Sequence, residues 1–294
     1  FPGAPPAFTG IVDVGPFPAG VAVSADGSRA FVVVNNADSV CVVDTATGEV
    51  TARFPVGTRP GNVAVGRDGR VYVTNTQSAS VSVTDAAAGA VVATVDVGEL
   101  PGALALTPDG TQLYVANGIS GTVSVVDTLS AAVVGDVRVG DAPFGLAMAP
   151  DGAHAYVANL NSDSVSVVDT RTRGVATIPV GDQPWGVAVD PDGTTAYVAE
   201  SGDDQLAVID LTAGRVVARV TVGARPIGVA VTPDGSRAYV THFGADSISV
   251  VDLERAAVVA TEIVGQGPLA VAVTAERAYV TSTATDRLTV LEVG

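Results

Sequence analysis

A carboxylate and an imidazole at equivalent places in consecutive copies of a repeat carry the strongest chemical signal in this 294-residue chain. They are Glu200 and His242, each the last letter of a recurring tetrapeptide. The copies are Phe31-Val-Val-Val34, Tyr72-Val-Thr-Asn75, Tyr114-Val-Ala-Asn117, Tyr156-Val-Ala-Asn159, Tyr197-Val-Ala-Glu200, Tyr239-Val-Thr-His242 and Tyr279-Val-Thr-Ser282. Asn is the default letter, an amide suited to satisfying loop backbone groups. Asn75, Asn117 and Asn159 are therefore scaffold first, and further ligand contacts on the same rim second. Glu and His are the side chains best suited to proton transfer, and a Glu beside an apolar wall can have a raised pKa. Two readings follow: drift at an exposed loop, or an acid–base pair.

A second ring of positions follows the proline of each copy: Ala19, Gly61, Gly102, Phe144, Trp185, Ile227 and Leu269. Three neighbouring copies are small and four are large and apolar, which predicts a lopsided funnel. The bulky side could plug a central channel. It could equally wall a small-molecule site, with Trp185, the only Trp, as a stacking platform. Phe243, next to His242, extends the apolar candidates. Arg59 and Arg225 precede their prolines on the same rim. Arg225 lies between the Glu200 and His242 copies and could hold a substrate carboxylate or pair with Glu200.

Other chemistries are narrowed by composition. The formal net charge is −16, and all 15 basic residues are Arg. Without a basic run the chain should repel nucleic acid and anionic membrane surfaces. Without Lys there is no side-chain amine for Schiff-base chemistry. Cys41, the single Cys, excludes an internal disulfide and reads as a buried, inert thiol between Val40 and Val42. His154 reads as surface, so two His and one Cys cannot build the usual zinc, copper or haem sites. No organic cofactor motif is present. Glu200 could offer an oxygen to a hard cation such as Mg²⁺. No apolar run approaches the roughly 18 residues of a membrane helix. The chain begins Phe-Pro-Gly with neither Met nor a signal segment. Export after leader removal and a cytoplasmic location both stay open.

The elements that would position these residues come from the period. The prolines Pro18, Pro60, Pro101, Pro143, Pro184, Pro226 and Pro268 recur every 41 or 42 residues. Each unit reads as four short strands separated by Asp-Gly and similar turns, the pattern of a propeller blade. In the fourth unit the strands read 145–148, 155–158, 164–169 and 175–180. The Asp residues of the turns, of the third strand and just before it read as hydrogen-bonding loop residues. The last unit stops after its third strand, and Phe8–Val14 aligns with a fourth strand. The expectation is an all-β, seven-bladed propeller of four-stranded antiparallel blades. It forms one domain over residues 1–294, with residues 1–14 completing the last blade.

Tyr72–Asn75, the YVAN copies, Val229–Gly235 (VAVTPDG) and Val165–Thr170 (VSVVDT) make residues 8–294 resemble the YVTN-repeat propellers of the surface-layer and YncE-like group. That resemblance implies the fold and a range of surface, binding and redox-associated roles. The expected function is small-molecule binding in a pocket on the top face, the one on which the linkers between units and the loops between second and third strands open. There Glu200 and His242 would run lyase, isomerase, cyclase or hydrolase chemistry, with Trp185, Phe144, Ile227, Leu269, Arg225, Arg59 and Phe243 as contacts. The alternative is a non-catalytic exported or surface-associated module for a peptide or partner. A monomer is expected.

Overall fold

The computed structural model describes residues 8–293. They form seven four-stranded antiparallel sheets, each made of strands A to D in chain order except the last. Blade 4, for example, comprises Pro143–Met148, His154–Asn159, Ser164–Asp169 and Val175–Pro179. The A strands neighbour one another in chain order and close a ring, the first touching the last. Besides strands there is one short 3₁₀ turn among the described residues, Asn35–Ala37.

The last blade is completed from the other end of the chain. Its strands are Pro268–Val273, Arg277–Ser282 and Arg287–Glu292, with Phe8–Asp13 as the outer strand. Gly10 lies opposite Val290 and Asp13 opposite Arg287. This is the expected closure. Residues 1–7, the rest of the segment expected to supply it, lie outside the described residues.

The core lies between blades, so B and C strands are largely buried on both faces. Tyr239, Ile248 and Val250 of blade 6 pack on Ala278, Val280 and Leu291 of blade 7. Cys41 is fully buried between blade 1 and the closing strand, and burial pushes its thiol pKa up. No helix among the described residues is long and apolar enough to cross a membrane.

Two devices shape the top face. First, the residue before each proline has positive φ, from 52° at Arg225 to 65° at Gly267. At five of the seven, the backbone N–H of that residue is held by the Asp preceding strand C of the previous blade. Asp38 accepts from Arg59, Asp163 from Gln183, Asp204 from Arg225, Asp246 from Gly267 and Asp286 from Phe17. The acidic residues there are loop clasps, as their sequence pattern suggests. Second, every A–B pair slips register just after the proline, as between Pro184 and Val187. Such a bulge re-aims a side chain. The irregular stretch contains the residue after the proline.

Candidate functional site

The bulges bring the seven residues after the prolines together around the ring axis. All seven line one cavity of about 380 Å³ at the top of the central channel. Phe144 and Trp185 stack with ring centroids 5.0 Å apart and planes 20° from parallel. Ile227, Leu269 and the half-exposed Phe17 continue this apolar wall. Ala19, Gly61 and Gly102 leave the facing side open. The lopsided funnel of the sequence is thus present, and its bulky side chains leave a cavity beside them.

Its open side is polar. Asn35, Asn62 and Thr76 line it, and the sequence reading singled out none of them. Asn62 occupies the second position after the proline. The other six blades have Gly20, Ala103, Gly145, Gly186, Gly228 and Ala270 there. Comparing copies at that position would have found it. Small residues fit because the next A strand is close: a Cβ on Gly145 would collide with the Trp185 carbonyl oxygen. Gly20 leaves room for Asn62 in the same way. The Asn62 Oδ1 accepts from the Val63 N–H at 2.8 Å. Its Nδ2 has no acceptor among the described residues. Asn35 donates through Nδ2 to the Pro60 carbonyl and accepts from Arg59 Nη1 at 3.1 Å. Arg59 itself is exposed and also donates to the Asn36 side chain. Thr76 donates to the Arg59 carbonyl.

Glu200 and His242 are elsewhere. Both are fully buried, and neither lines the cavity. The last letter of each tetrapeptide lies beneath the glycine that opens the linker to strand A. A Cβ on Gly57 would sit 2.5 Å from Asn75 Cγ, and Gly98, Gly140, Gly181, Gly223 and Gly265 press on Asn117, Asn159, Glu200, His242 and Ser282 alike. The three Asn side chains donate Nδ2 to two hydroxyls of their own strand C or the residue that opens it. They too are buried and do not line the cavity. Glu200 accepts from the Gly181 N–H at 2.6 Å and is ion-paired with Arg219 of strand D at 2.9 Å. His242 accepts from the Gly223 N–H through Nε2, which places the imidazole proton on Nδ1, 3.1 Å from Ser247 Oγ. Burial lowers its pKa to about 4, with Asp204 opposing weakly. The position is therefore not an exposed loop, and the pair expected beside Trp185 and Ile227 is not brought to the funnel. The position is a latch under the linker, and Glu and His are two ways of filling it.

The remaining candidates also separate. Arg225 lies over the Phe243 ring, 5.1 Å from its centroid, and neither lines the cavity. Arg219, not Arg225, is the cation of Glu200. His154 is half-buried on strand B with its ring 6.3 Å from that of Tyr156. Among the described residues no three His, Cys, Asp or Glu side chains converge as metal ligands. Glu200, the carboxylate considered for Mg²⁺, already has its partners.

Comparison with known proteins adds a family. The family model described as SMP-30/Gluconolactonase/LRE-like region matches residues 8–181, which span the closing strand and blades 1 to 4. A solved chain of Kuenenia stuttgartiensis hydrazine synthase superposes with a TM-score of 0.88, covering 95% of this chain and 96% of that one. At 24% identity this likeness is one of fold. No curated protein matches the chain. The YVTN motif points to a different propeller group and stays a resemblance of motif.

Proposed function

From the premise that the chain belongs to the SMP-30/gluconolactonase/LRE-like family, which includes lactonases and other enzymes, we propose that it is a small-molecule-binding propeller whose site is the funnel at the top of the channel. One observation carries this reading. Seven equivalent positions, free to be alike in a scaffold, differ so as to put a stacked Phe144–Trp185 wall on one side of a 380 Å³ cavity. That volume is at the small end of the range typical of ligand sites, roughly 300–1,000 Å³. An aromatic wall supplies apolar area and a face for offset stacking.

Trp185 is the only Trp, so its emission reports on the wall directly. Titration with 1-naphthalenemethanol should quench or shift that emission saturably. Phe144→Ala should weaken binding about tenfold, the size of one lost aromatic pair plus its buried area. A chain whose emission is indifferent to the probe, or a variant that binds as well as wild type, sinks the proposal.

A second reading, turnover in the same funnel, is favoured by the family itself. The donors left there are side-chain amides, since the Thr76 hydroxyl already donates to the Arg59 carbonyl, and amides suit polarising a carbonyl rather than exchanging protons. Acid–base work by Glu200 and His242 would need both to leave their linker glycines. Assaying a panel of lactones with wild type, Glu200→Gln and His242→Ala tests it. Hydrolysis lost on Asn62→Ala but kept in the other two would assign the chemistry to the funnel. No hydrolysis by the wild type leaves the binding reading alone.

A further inference from the structure

Resting on that site, we infer that its ligand is a flat aromatic molecule bearing a carboxylate, held with its ring on Trp185 and its carboxylate on Asn62 and Arg59. Three observations converge. The blades run in chain order around a closed ring. In a ring of seven, the point between blades 1 and 2 faces blade 5. The polar side chains of the cavity belong to blades 1 and 2, and Trp185 belongs to blade 5. A molecule stacked on Trp185 therefore directs its far end to Asn35, Asn62 and Thr76.

The far end meets a donor. Asn62 is the one side chain larger than a methyl at its ring position. Its Oδ1 is used by the backbone, which fixes the amide, and its Nδ2 has no acceptor among the described residues on a side chain that lines the cavity. Asn35 has less to offer, since one Nδ2 hydrogen goes to the Pro60 carbonyl and its Oδ1 accepts from Arg59.

Positive charge is also present. Arg59 does not itself line the cavity but is tied to its edge by the side-chain oxygens of Asn35, which does line it, and of Asn36. Both are neutral, and Arg59 has no ion pair among the described residues. In a chain of net charge −16 its guanidinium has no carboxylate partner among the described residues, although the Asp38 carboxylate accepts from the Arg59 backbone N–H. A guanidinium with free N–H groups next to an amide donor suits a carboxylate, which accepts from both. Arg225, the corresponding residue of blade 6, lies instead over the Phe243 ring.

The test compares 1-naphthaleneacetate with its neutral methyl ester on the full chain, by Trp185 emission. The variants should fold. Ala already occupies the position of Asn62 in two blades, and Gln183 occupies that of Arg59 with the same positive φ. The acid should bind at least tenfold more tightly than the ester at low salt, and raising the salt should narrow the gap. Asn62→Ala and Arg59→Gln should each weaken the acid at least fivefold and the ester less than twofold. Equal binding of acid and ester, with neither variant selective, overturns this assignment and leaves the funnel reading standing. Sensitivity to Asn62→Ala but not to Arg59→Gln also overturns it, in favour of a neutral acceptor. If neither probe perturbs Trp185, both the assignment and the funnel reading fall.

Discussion

His242 carries a pH dependence that its buried place creates. Its ordinary value of 6.5 is lowered to about 4 by burial, and protonation of Nε2 would turn an acceptor of the Gly223 N–H into a second donor. Between those two values the unfolded chain binds a proton that the folded chain does not. Stability is therefore complete above pH 6.5 and declines as pH falls toward 4. His242→Asn installs the default letter, and Ser247 and Ser249 stand where Ser80 and Ser82 receive Asn75. Melting temperatures of wild type and variant, followed from pH 7 to 4.5, should diverge, with the flatter curve in the variant. Parallel curves would mean that His242 is not the titrating group. The first ring of the site was legible in the sequence, because the proline fixes which residue falls in the bulge. The fourth letter was misleading for a physical reason: sequence shows that Glu200 differs from Asn159, not that a glycine 19 residues earlier covers it. Asn62 went unnoticed because a polar residue in an A strand shows only against the Gly and Ala of its six counterparts.

Strand Phe8–Asp13 matters beyond its length because it ends the edges of the sheet array. It covers the Arg287–Glu292 strand, and with Val14 it contributes two buried valines to the core between blades 7 and 1. Arg53 also donates to the Val14 carbonyl, tying the linker that follows the strand to blade 1. Removing residues 1–14 should cost about 3 kcal/mol from the valines alone. The exposed Arg287–Glu292 edge would be left free to pair with another chain. A lower melting temperature together with larger species on size exclusion is the expected result, and a truncated chain that melts and elutes like the full one would refute the role. This closure was readable in advance because Phe8–Val14 repeats the pattern of a strand D. The interval of 41 or 42 residues likewise located all seven blades, since each unit must bury the same faces against its neighbours.

The whole molecule is held at its loops by acceptors. Hydroxyls and backbone N–H groups of the turns donate to Asp26 and lower its pKa from 3.8 to about 2. The same kind of contact lowers Asp44, Asp85, Asp109, Asp127, Asp169, Asp192, Asp234 and Asp252. Groups depressed in the folded state contribute stability above their unfolded pKa and lose it as pH falls through the folded one. Beyond the His242 range, the melting temperature should therefore drop steeply between pH 4 and 2, by many small steps spread over the blades. A single Asp→Asn change should move it little. One turn whose loss abolished the acid transition would contradict this. The closing strand carries a further consequence, in time. A ribosome makes Phe8–Asp13 well before its partner Arg287–Glu292, with the other described strands between. At about 5–20 residues per second, the first strand waits roughly half a minute for its partner. Through that interval six blades can assemble while the outer strand of the seventh has no blade to join, so the ring closes only once Arg287–Glu292 has been made. Slowing translation within the stretch that encodes blade 7 should lengthen the life of an open, adhesive intermediate far more than slowing it before blade 1 is made.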